Sequence, residues 1–199
     1  MTTPPADVAL AHHQAEAVPP LLDDICAVYA GAYGQVPGED SAKKVAAFRD
    51  RATKALGRHG YELVTAHTRG SLAGFAFGYA LPSATHWWDD LSPEPSPEFL
   101  REDGTRTFVL AEIEVGKRWQ GSGVGGSLHD EILNGRKEQR ATLATGPGAD
   151  AARAIYERWG WQKIGVVPGT PGDYFSEYTL YVLPLPLTPT RYAVSTSSS

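Results

Sequence analysis

One stretch constrains the fold of this chain more than any other. An apolar segment, Thr107 to Val115, is followed by Gly121-Ser122-Gly123-Val124-Gly125-Gly126, which opens an amphipathic run ending at Leu133. A strand that feeds a glycine-opened helix presents unpaired N–H groups at the positive end of the helix dipole, which suits an anion. The run also satisfies G-x-G-x-x-G, the dinucleotide-binding pattern. In that architecture the strand enters the first glycine directly, and an acidic residue about 20 positions on holds a ribose. Here Gly116-Lys117-Arg118-Trp119-Gln120 intervenes and the next strand ends in Ala144-Thr145, so the dinucleotide reading is rejected. Two readings stay open: a phosphate cradle supplemented by Lys117 or Arg118, and a glycine turn that only lets the helix pack closely.

The hydrophobic period sets the surroundings of this stretch. Residues 7–12 read as an edge strand, and Val18, Leu21, Leu22, Ile25, Val28, Tyr29 and Ala32 recur at helical spacing over 18–33. Pro19 and Pro20 are tolerable only in that helix's first turn. Ser41 reads as the cap of a second helix with Val45, Phe48, Ala52 and Leu56 inward. The period then changes to strands over 61–68 and 71–81, joined by Arg69-Gly70 as an antiparallel hairpin. After the strand 107–115 and the helix 123–133 come a strand at 141–145, a helix at 150–159 capped by Asp150 and stopped by Gly160, and strands at 161–167 and 177–183.

This order predicts an α/β protein with a mixed central sheet of about seven strands flanked by helices, one domain over 1–187. Residues 188–199, rich in Ser and Thr, read as a disordered tail. The connection 82–106 holds four of the 15 prolines and the block His86-Trp87-Trp88-Asp89-Asp90. A loop that long inside a domain is functional or disordered.

Composition removes several function classes. Eighteen Lys+Arg against 23 Asp+Glu give a net charge of −5, without the basic footprint of a nucleic-acid binder. The single cysteine, Cys26, excludes an internal disulfide framework. No apolar run reaches the ~18 residues that cross a bilayer, and the first residues lack a signal pattern, so the expected setting is the cytoplasm with no membrane partner. The six histidines are not spaced as metal ligands, so no metal is expected.

Gln120-Gly121-Ser122-Gly123-Val124-Gly125, preceded by Ile113-Glu114-Val115, resembles the Q/R-x-x-G-x-G/A motif of the GNAT superfamily of N-acetyltransferases, here of the small-molecule bacterial type. A second block, residues 152–165, is similar to that family's Y-E-K-L-G-F helix end and the strand after it. The blocks lie about 30 residues apart, as in the family, and the element order over 7–184 matches its fold. The resemblance implies acetyl-CoA as co-substrate, with the pyrophosphate on the N–H groups of Gln120 to Gly125. It also implies that the pantetheine arm pairs with Ile113 and Val115 where two central strands splay apart. One departure is Ala149, where the family often carries Asn.

Acyl transfer from a thioester to an amine needs a base, a polarised carbonyl and a proton for the thiolate. Glu112 and Glu114 have period-two spacing on one strand, which points both to one face unless a bulge intervenes. Glu112 coincides with a family position that often holds Glu and is the expected base; Glu114 is the alternative, or a substrate contact. The resemblance gives Tyr156 the role of general acid to the CoA thiolate. The expected acceptor is a small-molecule amine, approaching between residues 33–40, 82–106 and 168–175. There Trp87 and Trp88 offer aromatic walls, or alternatively contacts for a homodimer. A protein or peptide acetyltransferase and a catalytically silent acetyl-CoA-binding module are the competing readings.

Overall fold

The computed structural model describes residues 7–33, 41–172 and 174–187. The elements in chain order are β1 (Val8–His13), α1 (Leu22–Tyr33), α2 (Ser41–Ala55), β2 (Glu62–Thr68), β3 (Ser71–Ala80), α3 (Pro97–Leu100), β4 (Thr107–Val115), α4 (Val124–Leu133), β5 (Arg140–Thr145), α5 (Asp150–Arg158), β6 (Gln162–Pro168) and β7 (Glu177–Pro184). The tail at 188–199 and the connection 34–40 lie outside the described residues. Three local expectations are corrected. Residues 15–17 and 19–21 form two tight 3-10 turns, and α1 starts only at Leu22, because Pro19 and Pro20 cannot donate to a helical ladder. Asp150 is the first helical residue of α5 rather than its cap; the cap is Ala149, and the Asp150 carboxylate accepts from Arg153 at 3.4 Å. The connection 82–106 contains the single turn α3, whose Ser96 hydroxyl accepts from the Phe99 N–H at 3.3 Å.

The seven strands form one mixed sheet in the order β1-β2-β3-β4-β5-β7-β6. β1 to β4 are antiparallel neighbours, β4 and β5 are parallel, and β7 lies antiparallel between β5 and β6. Arg69 and Gly70 both take positive φ, the pairing that a two-residue hairpin turn demands. One face of the sheet packs Val64, Ala66, Ala73, Ala76, Phe108 and Leu110 against Val124, Leu128, Ile132 and Leu133 of α4. The opposite face is shared by two covers. α1 and α2 bring Ile25, Tyr29, Phe48 and Ala52 onto Leu63, Phe75 and Phe77. The connection 82–106 brings Trp88 and Leu91 onto Val109, Leu180 and Val182.

That connection is therefore a structural cover. Ser92 exchanges two backbone hydrogen bonds with Val166 of β6, each 2.9 Å. Glu102 and Arg140 form a buried ion pair of 2.7 Å, joined by the Trp88 indole N–H and the Thr107 hydroxyl. His129, fully buried on α4, bonds Asp130 through Nδ1 and accepts from the Trp161 indole N–H at 3.0 Å, so its ring is satisfied without a metal. Among the described residues no helix is long and apolar enough to cross a membrane.

Candidate functional site

β4 and β5 stay paired only over Thr107↔Arg140, Phe108↔Ala141 and Val109↔Thr142. Beyond these residues the strands part, and the β4 segment Leu110 to Val115, which includes Ile113 and Val115, lines the opening without a β5 partner. An extended amide-bearing ligand adds naturally to such a strand edge.

The orientation of the carboxylates depends on an irregularity. Opposite β3, Gly78 pairs with Leu110 but Phe77 pairs with Glu112, so Ala111 is an extra residue on β4. In a regular strand Glu112 would follow Phe108 and Leu110 onto the α4 face. The bulge moves Glu112 and Glu114 together onto the face of Phe77 and Phe75, beneath α1 and α2. There Arg51 of α2 donates to Glu112 Oε1 at 2.9 Å, with the Glu112 side chain 17% exposed. Burial raises the Glu112 carboxyl above its ordinary range, against the opposing pull of Arg51. A carboxylate so placed is a stronger proton acceptor than one in water.

Tyr156 stands on α5 and packs, with Ile113 and Val115 of β4, against the core on the α4 face. Its ring meets Trp159 and Trp161 edge-on, with centroids 6.0 and 6.1 Å away. Burial first, then the charges of Glu114 and Glu112, push its phenol far above the ordinary value, so it keeps its proton. Among the described residues the hydroxyl makes no hydrogen bond.

The glycine loop lies at the end of β4. Gln120 turns its side-chain amide back to the Val115 carbonyl at 3.1 Å, and the Ser122 hydroxyl donates to the Trp119 carbonyl at 2.5 Å. Gly123 caps α4 in the left-handed region, φ +92°, with no side-chain cap. The first helical bond runs from Ser127 N–H to the Gly123 carbonyl at 3.1 Å. Among the described residues the N–H groups of Val124, Gly125 and Gly126 therefore have no backbone acceptor, and no acidic residue occupies the first turn to compete for them. The cradle fits an anionic phosphate group.

The tryptophans are placed differently from expectation. Trp88 is 5% exposed and spends its indole N–H on Glu102, while Trp87 is half-buried and donates to Thr142 Oγ1 at 3.1 Å. Trp88 is thus a core residue, because the block 86–90 covers the sheet instead of standing free. The β6–β7 connection carries Tyr174, 60% exposed, whose ring lies 5.8 Å from Lys44 Nζ of α2. Sequence reasoning missed Arg51 and Tyr29. The only available signal was the position of Arg51 three residues after the inward Phe48, one helical turn along the same face.

No family model matches the sequence, and no curated protein does. Solved structures do. A GNAT-family protein from Desulfovibrio desulfuricans matches with a TM-score of 0.61 at 20% identity, over 89% of this chain and 98% of that one. The chain has the GNAT acetyltransferase fold. A GNAT acetyltransferase from Elizabethkingia anophelis with acetyl-CoA bound matches with a TM-score of 0.57 at 14% identity, over 91% of this chain and 100% of that one. An aminoglycoside 6'-acetyltransferase of type Ii matches with a TM-score of 0.57 at 16% identity, over 89% and 98%. Both GNAT structures are covered over almost their full length, so the likeness extends over the whole fold.

Proposed function

We propose that this chain is an acetyl-CoA-dependent N-acetyltransferase that transfers an acetyl group directly to the amine of a small molecule. The observation that carries the reading is the β4 segment Leu110 to Val115, left without a β5 partner and bearing Glu112 and Glu114, whose charges act on the Tyr156 phenol, next to the glycine-opened N-terminus of α4. Acetyl-CoA would supply the acyl group as an activated thioester. The N–H groups around Gln120 to Gly125 would hold its pyrophosphate, and the unpaired edge at Ile113 and Val115 would hold its amide-bearing arm.

Glu112 would accept the proton of the attacking ammonium, directly or through one water, and its raised pKa favours that transfer near neutral pH. Tyr156, protonated throughout the working range, would donate to the departing thiolate sulfur. Glu114, on the same face, would attract the cationic amine. A small acceptor is supported by the likeness to a solved aminoglycoside 6'-acetyltransferase.

The test measures CoA thiol release with a panel of small amines and of peptides, alongside calorimetric coenzyme A binding. Glu112→Gln should lower kcat by about 10²–10³-fold and Tyr156→Phe by about tenfold or more, with coenzyme A affinity unchanged. Equal inertness of wild type and both variants while coenzyme A still binds would refute catalysis and leave a binding module. A preference for peptides would move the acceptor class to protein.

A further inference from the structure

We propose that Arg51 is the positioning residue of the site: it anchors one oxygen of Glu112, sets the proton affinity of that carboxylate and leaves the other oxygen open to the acceptor. The inference rests on the reading of Glu112 as the base and adds a residue from a helix that carries no recognisable motif.

The geometry is a three-element clamp. Arg51 stands on α2, one turn from Phe48, whose ring stacks on Tyr29 of α1 at 4.1 Å and 9°. Its guanidinium lies 5.9 Å from the Phe48 ring centroid and donates to Glu112 Oε1 of β4 at 2.9 Å, with Tyr29 beside it raising its proton affinity. A planar guanidinium already held over an aromatic ring loses little freedom on binding a carboxylate. Glu112 Oε2 has no partner among the described residues, and it is not a fully buried orphan. One oxygen is fixed and the other is accessible, as a base that must meet its proton in one direction requires.

Burial is what opposes Arg51 at Glu112. Glu114 on β4, Tyr29 on α1, Tyr79 on β3 and Tyr156 on α5 share its surroundings, and Arg58 offsets part of the charge near Tyr79. Of these groups only Arg51 bonds the carboxylate. Arg51 therefore limits how far burial raises Glu112. Without it, the carboxylate would take up its proton at higher pH and its side chain would be free to rotate.

The experiment compares wild type, Arg51→Gln and Arg51→Lys, with Glu112→Gln as the assignment control. In protein labelled with 13C at glutamate side-chain carboxyls, the Glu112 resonance is followed against pH without any ligand. Its midpoint should rise by about one pH unit in Arg51→Gln and by less in Arg51→Lys. With acetyl-CoA and the best amine of the panel, the acid limb of kcat should move up in step, while the KM for acetyl-CoA stays constant. Unchanged midpoints in a folded Arg51→Gln protein would overturn the proposal. If Arg51→Gln fails to fold, the smaller shift in Arg51→Lys decides. A shifted midpoint without turnover on any amine would uphold the Arg51–Glu112 coupling and refute the enzymatic reading, so the two failures are distinguishable.

Discussion

Removing the Glu102 carboxylate tests whether the connection 82–106 is a structural clamp on the closed end of the β4–β5 opening. Glu102 Oε1 accepts three hydrogen bonds: from Arg140 Nη2 at 2.7 Å, Thr107 Oγ1 at 2.7 Å and Trp88 Nε1 at 3.1 Å. Arg140 also donates to Thr107 Oγ1 and to the Phe99 carbonyl, and lies 4.9 and 4.1 Å from the rings of Trp88 and Phe99. Thr107 and Arg140 are the first register pair of the parallel strands, so this network sits where they must stay joined.

In Glu102→Ala a guanidinium whose side chain is 8% exposed loses its counter-charge. Breaking a buried pair from one side costs about 3–5 kcal/mol. For a chain of this size each kcal/mol shifts Tm by about 2–4 °C, so Tm should fall by about 6–20 °C in calorimetry. The double variant Glu102→Leu with Arg140→Met removes both charges and leaves the Trp88 and Thr107 donors and the Phe99 carbonyl short of a partner, at about 1–3 kcal/mol each, but no buried charge uncompensated. It should be more stable than Glu102→Ala. A single variant within about 2 °C of wild type, or a double variant whose loss equals the sum of both single losses, would refute the reasoning.

Three further outcomes follow from other parts of the fold. A methyl at Gly78 would fall 2.2 Å from the Val109 carbonyl oxygen and 2.4 Å from Phe108 Cζ. Gly78→Ala should therefore cost about 1–3 kcal/mol in denaturant unfolding, and a neutral result would mean the strands part easily there. Gly123→Ala forces a side chain to φ +92°, a strain of about 1–2 kcal/mol, and should weaken coenzyme A binding in calorimetry more than it lowers Tm. His12 lies between Glu131 at 2.8 Å and Glu62 at 2.6 Å, and these partners raise its pKa. A raised folded pKa gives stability that is fully present below the unfolded value of about 6.5 and is lost as pH rises through the folded one. The stability gap between wild type and His12→Gln should thus shrink from pH 5.5 to pH 8.5 in thermal melts, and a gap that widens would contradict the sign.

Much of the fold was legible because it is written in local period. The strand 107–115 has the expected bounds, and the helices at 124–133 and 150–158 begin or end within a residue of expectation, since glycines and alternation mark them locally. The facing of Glu112 was not, because a count of two along a strand assumes no extra residue, and the bulge at Ala111 exists only in the pairing with β3. Arg51 and the burial of Trp88 were hidden for the same reason: each depends on a partner between 14 and 61 positions away.

The sequence nevertheless carries one trace of the bulge, and it lies on the opposite strand. β3 reads Ser71-Leu72-Ala73-Gly74-Phe75-Ala76-Phe77-Gly78, with glycines where a buried strand gains nothing from them. A glycine inside a strand marks a bulge or a close backbone approach. Gly78 lies directly opposite Leu110, at the point where the register shifts, and the backbone of Val109 comes too near to admit any Cβ. The close approach and the extra residue are therefore two sides of one distortion. Filling Gly78 would push β4 away at the residues that turn Glu112 toward Arg51, which couples the chemistry of the carboxylate to a glycine that never touches it.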